Sequence, residues 1–330
     1  MAAPQITRRE SIVTLGAAAA GALIGSALPA RLLAADAAST TSPPRRALRV
    51  AHLTDVHVQP EKRAGEGLAA CLQHVQQLPD KPDLILTGGD HVMDSFGAEE
   101  ARTKLQWDLW SSVLKADCGI PVRSCIGNHD VWGWDKAASK TTGSETNWGK
   151  RRATDRLQLD ERYYAFSQAG WQFIVLDSVH EPPQGQGGYT GRLDDAQFDW
   201  LARTLRDTPA STPVVVLSHI PILSASALLW STEDQSDLRI SRALMHTDCL
   251  KLKDLFARHA NVKLCLSGHL HLCDRVDYNG VTYLCNGAVS GNWWGGRHKD
   301  CDEGYAVLDL YDDGSFDHEY VKYGWNAKLS

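Results

Sequence analysis

Leu84-Ile-Leu-Thr-Gly-Gly-Asp90 is a short apolar run that stops on two glycines and an acid. A brief continuous apolar stretch bounded by a turn signal reads as a fully buried strand, and it leaves a carboxylate at the strand's end. The same pattern recurs along the chain. Leu48-Arg-Val-Ala-His-Leu53 leads to Asp55 and His57, and Val122 to Ile126 leads to Asn128 and His129. Val214-Val-Val-Leu217 leads to His219, and Val262 to Leu266 leads to His269 and His271. Helix-like stretches at Leu68–Gln77, Glu99–Leu114, Asp194–Arg206 and Leu250–Ala257 fall between or after these runs. The Asp194 stretch opens on two acids, which favour a helix N-terminus. Strands alternating with helices argue for an α/β fold. Polar groups at the carboxyl ends of such strands stand where ligands bind.

The C-terminal part has a different pattern. Asn279-Gly280 sits inside Asp277-Tyr-Asn-Gly-Val-Thr-Tyr as a hairpin turn. Gly304–Tyr311 and Ser315–Tyr323 flank Asp312-Asp-Gly314 as a second hairpin. Both are expected as antiparallel strands completing a second sheet. The segment Val131–Asp160 carries Trp132, Trp134 and Trp148 with little periodicity and reads as a long loop, functional or mobile.

The chain has 330 residues, 43% of them hydrophobic and 22% charged, with a net charge of −6. That balance excludes a disordered chain, a collagen, a coiled coil and a multi-span membrane protein. It also offers no basic surplus for duplex nucleic acid. The eight cysteines include no CxxC pair, which argues against a thiol-redox protein and a structural zinc site. An even count permits disulfides in an exported protein, Cys118 with Cys125 among them. Cys125 and Cys265 lie in apolar runs, where buried thiols are expected.

The N-terminal part reads as an address. Arg8 and Arg9 precede a mildly apolar run from Ile12 to Leu28, interrupted by Gly16, Gly21 and Gly25, and small residues follow at Ala34-Ala35-Asp36-Ala37. This is the order of a secretory signal, and the paired arginines resemble the twin-arginine type. Residues 1–37 are expected as that signal, 38–46 as a flexible tether and 47–330 as a single domain. The run is short and weak for a membrane span. Export to the periplasm through the twin-arginine machinery, which carries folded proteins, would suit a protein that acquires metal in the cytoplasm.

Taken singly, each polar cluster is weak evidence, because a lone buried histidine is usually a satisfied core residue. Their order is specific: Asp55-Val-His57, Gly88-Gly-Asp90, Gly127-Asn-His-Asp130, Ser218-His219 and Gly268-His-Leu-His271 each follow directly on a strand-like run. In this set the sequence resembles the calcineurin-like metallophosphoesterases, nearest in size and motifs to their cyclic-nucleotide and glycerophosphodiester phosphodiesterases. The resemblance implies a four-layer α/β/β/α sandwich of two mixed sheets flanked by helices. It also implies two metal ions, one held by Asp55, His57, Asp90 and His271 and the other by Asp90, Asn128, His219 and His269. Asp90 would bridge them, and His129 would lie beside the site as a catalytic acid or phosphoryl donor. Many members carry an acid three residues after the bridging aspartate. Here that position is Met93, so the partner orienting His129 is left open among Asp94, Asp130 and none.

The chemistry requires such groups. A phosphodiester is anionic and repels hydroxide, whereas two metals ~3.5–4 Å apart can share a water, lower its pKa and clamp the phosphoryl oxygens for in-line attack. Imidazole, carboxylate and amide donors suit iron, manganese or zinc better than calcium or magnesium. The glycines before Asp90, Asn128 and His269 are expected to let the backbone turn sharply. The expected function is an exported phosphohydrolase acting on small phosphodiesters. A phosphomonoesterase on the same site and a metal-binding protein without turnover are the alternatives. Trp132, Trp134, Trp148, Trp293 and Trp294 would form either an aromatic wall or core. Arg297 and His298 would meet a phosphate or face solvent. His52, His91 and His180 are read as background or supporting residues, and Lys150-Arg151-Arg152 as a solvated turn.

Overall fold

The computed structural model describes residues 43–184, 186–230 and 238–327. The signal expected at 1–37 lies outside these described residues. The chain runs β1 (Arg46–Leu53), α1 (Ala64–Gln77), β2 (Leu84–Thr87), α2 (Glu100–Asp117), β3 (Val122–Ser124), α3 (Lys136–Ser139) and α4 (Lys150–Leu157). It continues through β4 (Tyr164–Gln168), β5 (Trp171–Val175), β6 (Val179–His180), β7 (Thr190–Gly191), α5 (Asp195–Asp207) and β8 (Val214–Leu217). A 3-10 turn at Ser226–Trp230 precedes α6 (Cys249–Phe256), β9 (Val262–Ser267), β10 (Asp274–Tyr278), β11 (Val281–Cys285), β12 (Gly304–Tyr311) and β13 (Phe316–Lys322). Pro43–Ser330 forms one unit. Of the 38–46 segment, Arg46 already belongs to β1, and Arg45 exchanges hydrogen bonds with Asp312.

Two mixed sheets result, ordered β13-β12-β1-β2-β3 and β10-β11-β9-β8-β5-β4, with β6 and β7 as a separate short ribbon. In β1, β2, β8 and β12, alternate residues face opposite apolar layers. Leu48, Val50, Leu84, Leu86, Val215, Leu217, Leu308 and Leu310 pack between the sheets. Ala51, Leu53, Ile85 and Val307 pack with Leu68, Leu72 and Val75 of α1 and Trp107 of α2. Val214 and Val216 pack with Leu201 and Leu205 of α5 and Leu252 of α6. Strands buried on both faces read as continuous hydrophobic runs, which is why these four were legible. The result is the four-layer α/β/β/α sandwich.

Three features differ from the sequence reading. The two C-terminal hairpins do not complete one sheet: β10–β11 extends the six-stranded sheet beside β9, and β12–β13 extends the five-stranded sheet beside β1. Turn chemistry fixes a hairpin locally but says nothing about which edge it joins. The hairpin of β4 and β5 went unread, although β5 pairs with β8 inside the second sheet. The region 131–160 is partly ordered, with α3, α4 and a bridge between Trp132 and Gly149. Within it Lys150-Arg-Arg152 is not a solvated turn. The Lys150 ammonium donates to the fully buried Asp177 (2.6 Å), and the buried Arg152 guanidinium lies over the Trp132 ring and donates to Glu100. Only Arg151 of the three is exposed.

Candidate metal centre

Every residue singled out at a strand end comes to the same rim of the sandwich. Parallel pairing of β1 with β2 and of β2 with β3, and of β5, β8 and β9 in the second sheet, turns the carboxyl ends of these strands the same way. Asp55, His57 and His271 offer ligand atoms within 4.8 Å of one another, as do Asp90, His219 and His269. His57 Nε2 lies 3.0 Å from His271 Nε2, and Asp55 Oδ1 lies 3.5 Å from His271 Nε2. On the other side, His219 Nε2 lies 3.0 Å from Asn128 Oδ1 and 3.3 Å from Asp90 Oδ2. The two clusters meet at Asp90, whose Oδ2 is also 3.7 Å from His57 Nε2.

The fit of these residues to metal can be judged from the hydrogen bonds they do and do not make. Asp55 Oδ2 accepts from Thr54 Oγ1 (2.6 Å) and the His269 amide (2.7 Å), while Asp55 Oδ1 is buried with no donor. An ionised oxygen left bare in the interior calls for a cation. Three imidazoles are locked by backbone carbonyls, which can only accept. His219 Nδ1 donates to Gly88 and His271 Nδ1 to Gly291, leaving each Nε2 lone pair facing the cluster. His269 Nε2 donates to Ala243, so its free donor atom is Nδ1. Fixing the tautomer of a ligand histidine through its other nitrogen is the usual outer-shell device of metal sites.

Electrostatics agree. Burial favours a neutral Asp90, but His219, His129 and His57 more than offset it and hold the carboxyl well below its ordinary range. Asp55 is likewise held low against its burial by His271 and His219. Burial pulls His269 down to about 3, keeping it neutral and able to donate a lone pair. Burial also lowers His219, yet Asp90 and Asp55 outweigh it and raise the ring to about 9. A metal ion on Nε2 would take over the role of that proton, so binding should release protons below that pH.

Of the glycines expected to turn before Asp90, Asn128 and His269, Gly89 does so in the left-handed region and Gly127 and Gly268 do not. Gly89 has φ +90°, but Asp55, His57, Asp90, His269 and His271 themselves occupy the left-handed region, at φ between 49° and 70°. Non-glycine residues there store strain, and such strain clusters at functional sites. Gly127 and Gly268 serve a different purpose, which is space. A Cβ on Gly127 would stand 2.1 Å from Asp90 Oδ1, and one on Gly268 would stand 1.9 Å from Thr54 Oγ1.

His129 sits where the two clusters meet, its ring offering a ligand atom within 4.8 Å of those of His57 and Asp90. Its amide donates to Asp90 Oδ1 (2.8 Å), its ring lies edge-on to His57 at 4.7 Å, and its buried Nδ1 has no partner. Neither of the two acids hydrogen-bonds to its ring. Asp94 accepts from the Gly97 amide. Asp130 accepts from the amides of Asp90, His91 and Gly127 and pairs with His91 Nδ1 (2.9 Å). Asp130 and His91 therefore brace the Asp90 loop rather than His129. His52 is buried against Asn286, and His180 lies near Asp177. Trp132 and Trp294 are core, the latter donating from Nε1 to the His57 carbonyl. Trp293 and the buried His298 line the site instead, with ring centroids 4.4 and 5.7 Å from that of His271. Arg297 is exposed and lies 3.8 Å from both Asp300 and Asp302.

Sequence reasoning missed the carbonyls of Gly88, Ala243 and Gly291, Thr54 and Ser290 around Asp55, and the buried Asp177. Backbone acceptors leave no trace in residue type. Asp177 did carry a signal, since it ends an apolar run (Phe173–Leu176) as Asp90 does.

The chain is 27% identical over 81% of its length, and 87% of the relative's, to a 3',5'-cyclic adenosine monophosphate phosphodiesterase of Haemophilus influenzae. It is 22% identical over 71% of its length, and 76% of the relative's, to a probable glycerophosphodiester phosphodiesterase of Arcobacter nitrofigilis. In fold it is similar to a dimetal phosphatase from Danio rerio, with a TM-score of 0.57 and 14% identity, covering 81% of this chain and 94% of that one. The calcineurin-like phosphoesterase family matches residues 48–273, a span that begins in β1 and closes just after His271. With that match and its buried aspartate–histidine clusters, the chain belongs to the calcineurin-like phosphoesterases and is a metal-dependent phosphoric ester hydrolase.

Proposed function

We propose that this protein hydrolyses small phosphodiesters, using two transition-metal ions (iron, manganese or zinc) held by Asp55, His57, Asp90 and His271 and by Asp90, Asn128, His219 and His269. The observation that carries the reading is the pair of buried donor clusters sharing Asp90, with Asp55 Oδ1 bare between its neighbours. Two ions bound there supply positive charge for the phosphoryl oxygens and a water acidic enough to attack phosphorus at neutral pH.

The chain's own residues do the rest. Asp90, tied to the His129 amide, fixes the spacing of the two clusters. His129, whose Nδ1 has no hydrogen-bond partner, would present its ring to the leaving group and its proton to the departing alkoxide. Diester preference is supported by the charges around the carboxylates. Burial acts most strongly on both, and the charged groups that act next are histidines, with Asp90 also acting on Asp55. Such a site suits a monoanionic diester better than a dianionic monoester, which would call for further cations. The printed names of the two curated relatives point the same way.

The test is hydrolysis of bis-p-nitrophenyl phosphate against p-nitrophenyl phosphate by metal-stripped protein reconstituted with manganese, zinc or iron. Diester turnover should return with metal. In His129→Ala it should fall by ~10²-fold or more with metal content unchanged. A preference for the monoester would replace this reading with a phosphatase. Two bound ions without turnover of either ester would overturn it.

Export through the twin-arginine machinery, with a periplasmic site of action, is part of the same proposal. Its support is Arg8-Arg9, the Gly-interrupted apolar run and the small residues at 34–37. N-terminal sequencing of the periplasmic fraction should find a chain beginning near Ala37. An intact Met1 on protein confined to the cytoplasm would sink it.

A further inference from the structure

The segment from Gly287 to Cys301 lies over the His271 side of the metal centre. It contributes the Gly291 carbonyl that fixes His271, together with Trp293 and His298. Its far end is a tight turn in which His298 and Cys301 exchange backbone hydrogen bonds. There Cys301 Sγ, buried at 6% exposure, lies 3.5 Å from Sγ of Cys273, which is exposed. Cys273 follows His271 by two residues and accepts a hydrogen bond from the Gly287 amide. The sulfurs are thus in van der Waals contact between two strands of chain already joined at His271 and Gly291.

We propose that Cys273 and Cys301 form a disulfide in an oxidising environment, which staples the 287–301 segment to the loop carrying His271. The co-reactant is a low-molecular-weight disulfide. The exposed Cys273 thiolate attacks one of its sulfurs, forming a mixed disulfide and releasing one small thiol. The Cys301 thiolate then attacks Cys273 Sγ, forming the internal S–S bond and releasing the second thiol. Two protons and two electrons leave the cysteines, and the oxidant is reduced to two thiols. The arrangement suits that order, because the accessible sulfur meets the oxidant and the buried one, already in contact, resolves it. The consequence for the site is mechanical. The covalent ring from Cys273 to Cys301 contains Gly291, whose carbonyl holds the His271 ring, and closes two residues after His271 itself, so His271 is harder to displace from a metal.

The test uses the full mature protein with metal bound, equilibrated with oxidised glutathione, then denatured and alkylated. Two of the eight thiols should become unreactive, and a non-reducing peptide map should yield one species joining the peptides of Cys273 and Cys301. Eight reactive thiols, a glutathione adduct left on Cys273, or a link to any other cysteine would each overturn the proposal. None of these readings depends on catalysis, so they stand apart from the phosphodiesterase assay. Metal transfer to a chromophoric chelator should be several-fold slower from oxidised than from reduced protein, and insensitive to oxidation in Cys301→Ser. Equal rates in the two forms of a protein shown to carry the bond would overturn the hold on His271.

Discussion

Asp90→Asn is expected to lower kcat for the diester by about 10³-fold or more and to reduce bound metal from two ions per chain to one or none. The substitution preserves shape and removes one negative charge at the only carboxylate shared by both clusters. The asparagine carbonyl can still accept from the His129 amide, as Asp90 Oδ1 does at 2.8 Å. Its amide nitrogen would then stand where Asp90 Oδ2 faces His219 Nε2 at 3.3 Å and His57 Nε2 at 3.7 Å. An N–H group there can donate to a neutral imidazole but cannot ligate a cation. The fold should therefore survive while metal binding fails, a combination read by a thermal melt beside elemental analysis. Two ions per chain and undiminished turnover in the variant would show that Asp90 does not bridge.

Asp130→Ala should act in the opposite order, through stability first. Asp130 is fully buried and accepts from three amides, those of Asp90 (3.0 Å), His91 (2.8 Å) and Gly127 (2.8 Å), and it pairs with His91 Nδ1. Alanine leaves all four donors without an acceptor in the interior. Unsatisfied buried groups cost ~1–3 kcal/mol each, so with four donors stranded a loss of about 4 kcal/mol is expected. For a domain of this size that lowers Tm on the order of 10 °C. Activity should fall as well, because Asp90 is held at φ 53° by this bracing and relaxes when it is removed. An unchanged Tm would refute the bracing role.

The strands that carry the site were the most legible part of the chain. Val214–Leu217 and Leu84–Thr87 are buried on both faces, so their side chains are apolar up to Ser218 and Thr87, the first polar residues, which mark their ends. Helix α5 was legible because Asp194 caps it, its carboxylate accepting from the Gln197 amide (2.8 Å). The β4–β5 hairpin was not. Tyr164–Gln168 is half-exposed and mixed in polarity, and its place at a sheet edge depends on β8, far away in sequence.

The candidate ligands are legible in the same way, since their identity is a property of residue type and order. Asp55, His57, Asp90, Asn128, His219, His269 and His271 each end a strand-like run, and parallel pairing leaves strand ends on one rim. What the sequence by itself determined is therefore local: which runs are strands, which polar residues they deliver, and the chemistry those residues share. Tertiary structure alone decided which nitrogen His219, His269 and His271 present, because that depends on the Gly88, Ala243 and Gly291 carbonyls, which come from distant loops. It also decided that Asp130 serves Asp90 and not His129, and that Cys273 meets Cys301. These are contacts between backbone or side-chain atoms far apart along the chain. A sequence records residue type and spacing, whereas such contacts exist only once two sheets have packed.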